Sequence, residues 1–195
     1  MITSAQMKEL EASSGVPLSS LMKRAGTAVY EALKQKFDLK GKKILAVCYH
    51  GNNGGDGFVA ADLLSNDTEV DVLFIGDEEK MKKEASAYYK KLLTNPGVQF
   101  VSYESIDFDD YDIIIDAILG IGYKGRLNKE ILNVVDDINK SKPFKIAIDI
   151  PTGLDPDTGE ILEKSVNVDM IITFHEMKPG LESVKDKVVV ADIGL

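Results

Sequence analysis

The chain is short of cysteine, of positive charge and of long apolar runs, and each shortage removes a class of protein. Its one cysteine, Cys48, cannot form an intrachain disulfide, so the fold is not a stapled scaffold. Cys48 ends the apolar run Ile44, Leu45, Ala46, Val47 and reads as a small buried hydrophobe rather than a nucleophile. Lys and Arg number 23 against 32 Asp and Glu, a formal net charge of −9. That balance opposes nucleic-acid phosphates and an anionic membrane surface. No segment reaches the roughly 20 apolar residues of a membrane span. Residues 1–11 are polar, with a helical pattern and no apolar signal core, so a soluble cytoplasmic protein is expected. No repeat and no Pro/Gly/Ser linker divides the 195 residues, enough for one domain, 1–195, with a real core.

What is present is alternation. Residues 18–37 carry Leu21, Met22, Ala25, Val29, Leu33 and Phe37 near helical spacing, after a short helix that Ser4 is expected to cap. From Lys43 onward, apolar runs at 43–48, 70–75, 98–102, 111–119, 144–150, 170–174 and 188–192 read as strands. Helical patterns at 58–64, 79–94 and 129–139 lie between them. Strands apolar on both faces that alternate with helices predict a Rossmann-like three-layer αβα sandwich with a mostly parallel central sheet. Ligands of such sheets lie beyond the carboxyl ends of the strands, which directs attention to three loops.

The first, Gly51-Asn52-Asn53-Gly54-Gly55-Asp56-Gly57, holds the place of a dinucleotide-binding turn, where glycines admit a pyrophosphate to backbone amides. It is not G-x-G-x-x-G, and its Asn and Asp residues predict side-chain contacts as well. The second follows the fourth strand, from Asp116 through Gly120-Ile121-Gly122-Tyr123-Lys124-Gly125-Arg126. Asp116 interrupts an apolar run, and a buried carboxylate there needs either a cation or backbone donors. The third is Asp149-Ile150-Pro151-Thr152-Gly153, again a carboxylate ending a strand, with a hydroxyl three residues on. Adjacent carboxylates can supply an acid/base group. His50 is open to either a ligand or an exposed role. His175 and Lys178 read as solvated surface, and Lys80–Lys83 with Lys90–Lys91 as a solvated helix face.

Together the three segments resemble the NAD(P)H-hydrate epimerase family, the YjeF N-terminal domain. The first loop is similar to its most specific signature. Asp116-Ala-x-Leu-Gly-x-Gly122 and Asp149-x-Pro-Thr-Gly153 follow in the family's order, and Leu21-Met22, Ala25-Gly26, Thr173-Phe174 and Lys178-Pro179-Gly180 extend the likeness over nearly the whole chain. The resemblance implies a homodimer that interconverts the R and S forms of hydrated NADH and NADPH (NADHX and NADPHX) at C6 of the damaged ring. It implies substrate contacts from Asn52, Asn53, Gly54, Gly55 and Asp56, from Gly120 to Arg126, and from Asp149. It also implies a potassium ion held by Asn53, Asp116 and Thr152. Of the carboxylates, Asp149 is the expected acid/base group. The functional partner would be a separate ADP- or ATP-dependent NAD(P)H-hydrate dehydratase, since the chain ends at Leu195 without one.

Several positions depart from the family pattern. Thr152 stands where serine is frequent, Tyr49-His50 where small or proline residues precede Gly51, and the stretch 122–125 is short. Related domains also serve as scaffolds in an RNA-decapping protein and in lipoprotein-binding proteins. The retention of Asn53, Asp56, Asp116 and Asp149 argues against that alternative here. A generic dinucleotide oxidoreductase is disfavoured by the missing G-x-G-x-x-G.

Overall fold

Seven strands form the middle layer of the computed structural model, in which residues 1–123 and 125–195 are described. They are β1 (Lys43–Cys48), β2 (Glu69–Phe74), β3 (Val98–Val101), β4 (Ile113–Ala117), β5 (Phe144–Ile148), β6 (Met170–Phe174) and β7 (Val188–Ala191). The sheet order is β3-β2-β1-β4-β5-β6-β7, and every pairing is parallel. Parallel pairing buries both faces, which is why β4 and β6 are buried at every residue.

Five helices cover the sheet: α1 (Ser4–Ser13), α2 (Leu18–Lys36), α3 (Asn52–Leu64), α4 (Lys83–Leu92) and α5 (Lys129–Lys140). Helix α2 forms because Leu21, Met22, Ala25, Val29 and Leu33 fall on one buried face. In α5 the same logic buries Ile131, Val134, Val135 and Ile138, and Asn128 caps its first turn onto the Ile131 amide. The chain winds outward from β1 through β2 and β3, then returns to the other side of β1 and continues as β4 to β7. Right-handed crossovers therefore put α3 and α5 on opposite faces and open a crevice between the carboxyl ends of β1 and β4.

Four details differ from the sequence expectations. Thr3, not Ser4, caps α1, in a reciprocal box with Gln6; Ser4 instead donates through its amide and hydroxyl to Asp157. The glycine-rich segment is not a loop, for α3 already begins at Asn52. A Cβ on Gly54 would sit 1.8 Å from the Tyr49 carbonyl oxygen, and one on Gly57 2.5 Å from the Ala117 Cβ. These glycines let the helix lie against β1 and β4, a contact that offsets their poor helix propensity. The single helix expected at 79–94 is a 3-10 turn, Glu78–Lys80, followed by α4. The break occurs because Asp77 caps the turn through the Glu79 amide and the Lys82 amide is drawn to the His50 carbonyl. Finally, β5 stops at Ile148, since Asp149 turns into the left-handed region at φ 65°.

Candidate active site at the β1–β4 crevice

The crevice holds a cavity of about 600 Å³, within the ordinary range for a small-molecule site. Three predicted segments meet there. Asn52, Asn53 and Asp56 reach it from the first turns of α3, Gly120, Ile121, Gly122 and Tyr123 from the segment after β4, and Asp149 from the end of β5. Gly54 and Gly55 are turned into the protein, Gly55 toward Met22. Gly125 and Arg126 are exposed and do not line the cavity, and Lys124 lies outside the described residues. Tyr49 and His50 form part of the wall, their rings 3.9 Å apart. The His50 Nδ1 accepts from the Asp77 amide, and burial followed by the Lys80 charge lowers its pKa.

Part of the remaining wall comes from a helix whose place in the site the sequence did not reveal. Helix α1 lays Met7, Lys8, Glu11 and Ala12 along the cavity, an i, i+4 face. It is held there by the Ile2 amide on the Met177 carbonyl and by Ser4 on Asp157.

Beneath the cavity floor, Asp116 is 1% exposed and Thr152 fully buried. Asp116 Oδ1 accepts from the Thr152 hydroxyl at 2.7 Å and the Ile118 amide at 3.2 Å; Oδ2 accepts from the Thr152 amide at 2.8 Å. The Leu119 amide donates to Thr152 Oγ1 at 3.0 Å, tying the segments after β4 and β5 together. These donors hold the Asp116 pKa down, yet burial outweighs them and raises it to about 6. The Asn53 side chain lies against the segment after β4, where a Cβ on Gly120 would be 3.1 Å from its Oδ1. The Asn53 Nδ2 is buried with no hydrogen-bond partner among the described residues.

Asp149 is treated differently. Its Oδ1 lies 2.7 Å from Lys178 Nζ and accepts from the Thr173 hydroxyl at 3.1 Å. Lys178, which the sequence placed on the solvated surface, is fully buried. The spacing of Lys178 five residues after Thr173 carried no periodic signal, because the left-handed turn at His175, φ 64°, folds the chain back. Asp56 accepts no hydrogen bond from any described residue. Burial, then the charges of Asp149 and Glu11, raises its pKa well above the ordinary carboxylate value. Glu11 is raised by burial and then by Asp149. Three carboxyl groups thus sense one another across one cavity, the arrangement that separates proton donors from acceptors.

Fold and site define a doubly wound α/β protein with a ligand cavity at its topological switch point and carboxyl groups in its wall. A family model described as YjeF-related protein N-terminus matches residues 18–180, and the chain belongs to that family. A bifunctional NAD(P)H-hydrate repair enzyme of Methanothermobacter thermautotrophicus is 39% identical over 93% of this chain, which spans 37% of the relative's length. The first relatives matched are thus more than twice as long as the aligned region. An NAD(P)H-hydrate epimerase of Oenococcus oeni is 39% identical over 93% of this chain and 88% of its own. The crystal structure of the yeast protein ynu0 superimposes with a TM-score of 0.85 at 25% identity, covering 98% of this chain and 87% of the other.

Proposed function

We propose that the protein epimerises NADHX and NADPHX at C6 of the hydrated nicotinamide ring. The observation that carries this reading is the pairing of Asp56 and Asp149 on a cavity that also receives the amino terminus of α3. The first amides of α3 are free of intrahelical partners and suit the substrate's pyrophosphate. The epimerase name of a relative matched over nearly its full length supports the same assignment.

The chemistry follows from the carbon involved. C6 carries a hydroxyl and the ring nitrogen, so its configuration changes in one of two ways. Either the hydroxyl leaves as water, giving a cationic ring that is rehydrated on the other face, or the ring opens to an aldehyde and recloses. Both routes move a proton on or off the C6 oxygen, and a positioned carboxyl group contributes about 10²–10⁴-fold to such a step. Asp149 performs that transfer. Asp56, whose pKa burial and the neighbouring carboxylates raise, is placed to hydrogen-bond the substrate from the same cavity wall. The Asp149 carboxylate beside the ring also favours a ring that acquires positive charge.

The residues beneath the floor fit a potassium ion. Asp116 is a buried carboxylate with only neutral donors, so a cation there would offset its lost hydration. A half-turn of the Asn53 amide replaces its partnerless Nδ2 with an oxygen that a cation satisfies. Amide, carboxylate and hydroxyl oxygens from Asn53, Asp116 and Thr152 suit a large, weakly charged ion. Such an ion would fix the junction between the segments after β4 and β5, and the proton transfer itself stays with the side chains. In this reading the enzyme is a cytoplasmic homodimer, and its product passes to an ADP- or ATP-dependent NAD(P)H-hydrate dehydratase activity.

The deciding experiment supplies purified protein with a single epimer of each hydrate and follows the ring protons by NMR without ATP. Enzyme-dependent approach to one common R/S mixture from either side supports the reading. A rate equal to that in buffer for both nucleotides overturns it in favour of a non-catalytic binding domain.

A further inference from the structure

The buried ammonium of Lys178 has no place in the proton transfer just described. Burying it costs free energy that an apolar side chain would not. Its three N–H groups have three acceptors: Asp149 Oδ1 at 2.7 Å, Thr173 Oγ1 at 3.0 Å and the Phe174 carbonyl at 2.9 Å. Lys178 and Thr173 are both 0% exposed. Held in that way the ammonium has no free electron pair to attack a carbonyl, so it is not a nucleophile toward a ring-opened aldehyde.

Its effect is on geometry. Both donors, Lys178 Nζ and Thr173 Oγ1, converge on the same oxygen of Asp149. Oδ2 receives no hydrogen bond from any described residue, on a side chain that lines the cavity. The Asp149 amide is also fixed, donating to the Ile172 carbonyl at 2.8 Å. Every one of these restraints comes from β6 or the turn after it. We propose that Lys178 is a positioning residue for Asp149: with Thr173 it ties down Oδ1, and so presents Oδ2 to the substrate hydroxyl. This rests on the epimerase reading for its consequence in turnover, but not for the tether itself.

The test compares Lys178→Ala, Thr173→Val, Asp149→Asn and the double variant Lys178→Ala/Asp149→Asn. Loss of alignment at a reacting group is expected to lower kcat of Lys178→Ala about 10²-fold, with KM little changed. Methylammonium, small enough to fill the vacated space, should restore part of that loss. The double variant should turn over no more slowly than Asp149→Asn alone, because Lys178 acts only through Asp149. Additive losses, or a rise in KM with kcat preserved, would overturn the proposal. Should Lys178→Ala fail to fold, Thr173→Val keeps the shape of the side chain while removing one tether, and full kcat in that variant would be equally damaging. Crystal structures of Lys178→Ala or Thr173→Val supply a readout independent of activity. An Asp149 carboxylate that stays in place without its tethers refutes positioning, and a rotated one supports it. If the unmodified protein epimerises neither hydrate, the functional reading falls, while the crystallographic result still decides the tether.

Discussion

Asp116 and Asp149 look alike in the sequence, each closing an apolar strand and each followed by a turn rich in glycine or proline. The fold separates them. Asp116 is sealed beneath the cavity and satisfied by two amides and a hydroxyl, whereas Asp149 borders the cavity and is bound to an ammonium. Neutral donors leave a buried carboxylate under strain from lost hydration, which a cation can relieve. A buried ammonium anchors a carboxylate and fixes the oxygen left over. The same residue type at equivalent strand ends therefore serves two ends, a seat for an ion and a tool for proton transfer.

The largest expected effect breaks that contrast from the cavity side. Asp149→Asn keeps size and removes the proton acceptor, so turnover per folded molecule should fall about 10²–10⁴-fold, and thermal stability should fall as well, because the Lys178 ammonium stays buried without its carboxylate. A variant with near-full turnover, set beside an inactive Asp56→Asn, would move the proton transfer to Asp56.

The next effect belongs to Asp116 and to pH. Its folded pKa, about 6, stands above the ordinary 3.8, so between those values the folded protein holds a proton that the unfolded chain releases. Stability from this group is complete below about pH 4 and is lost as pH rises through about 6, by roughly 3 kcal/mol. Denaturant titrations in tetramethylammonium buffers should show that decline, and Asp116→Asn should flatten it. Potassium should flatten it too, by favouring the charged carboxylate. An unchanged slope on adding potassium would count against the ion.

A smaller effect is expected for Thr152→Val, which deprives Asp116 of a hydroxyl and the Leu119 amide of its acceptor. Loss of those buried bonds should cost about 1–3 kcal/mol in denaturant midpoints and weaken any stabilisation by potassium. The smallest effect tests a buried carboxylate away from the crevice. Asp71 accepts from Tyr111 at 2.7 Å and lies 3.3 Å from Lys43. Tyr111→Phe should cost about 1 kcal/mol and leave kcat and KM untouched; a fall in kcat would mean that the contrast between site and scaffold has been drawn too sharply.

The strands were legible because a sheet covered on both faces leaves unbroken apolar runs such as Ile44 to Cys48, and the two strand-end aspartates stood out against them. The start of α3 was not. Four glycines and two asparagines speak locally for a turn, and only the nearness of Tyr49, Ala117 and Cys48 explains why a helix wants glycine there. Lys178 and Glu11 escaped for a related reason. Each lies far in sequence from Asp149 and is brought to it by tertiary folding, through the reversal at His175 and the docking of α1. The Thr152–Asp116 contact was anticipated as a shared ion site, but its direct hydrogen bonds depend on β4 and β5 being neighbours in register.

The backbone of Asp149 has a consequence for protein engineering. At φ 65° the position is one that glycine occupies without steric penalty and aspartate does not. The ammonium buried beside it adds a second burden. Screens that reward only heat resistance should therefore drift toward the paired change Asp149→Gly with Lys178→Met, gaining robustness as the proton-transfer group disappears. Thermotolerant libraries built on this scaffold therefore need a catalytic counter-selection at these two codons.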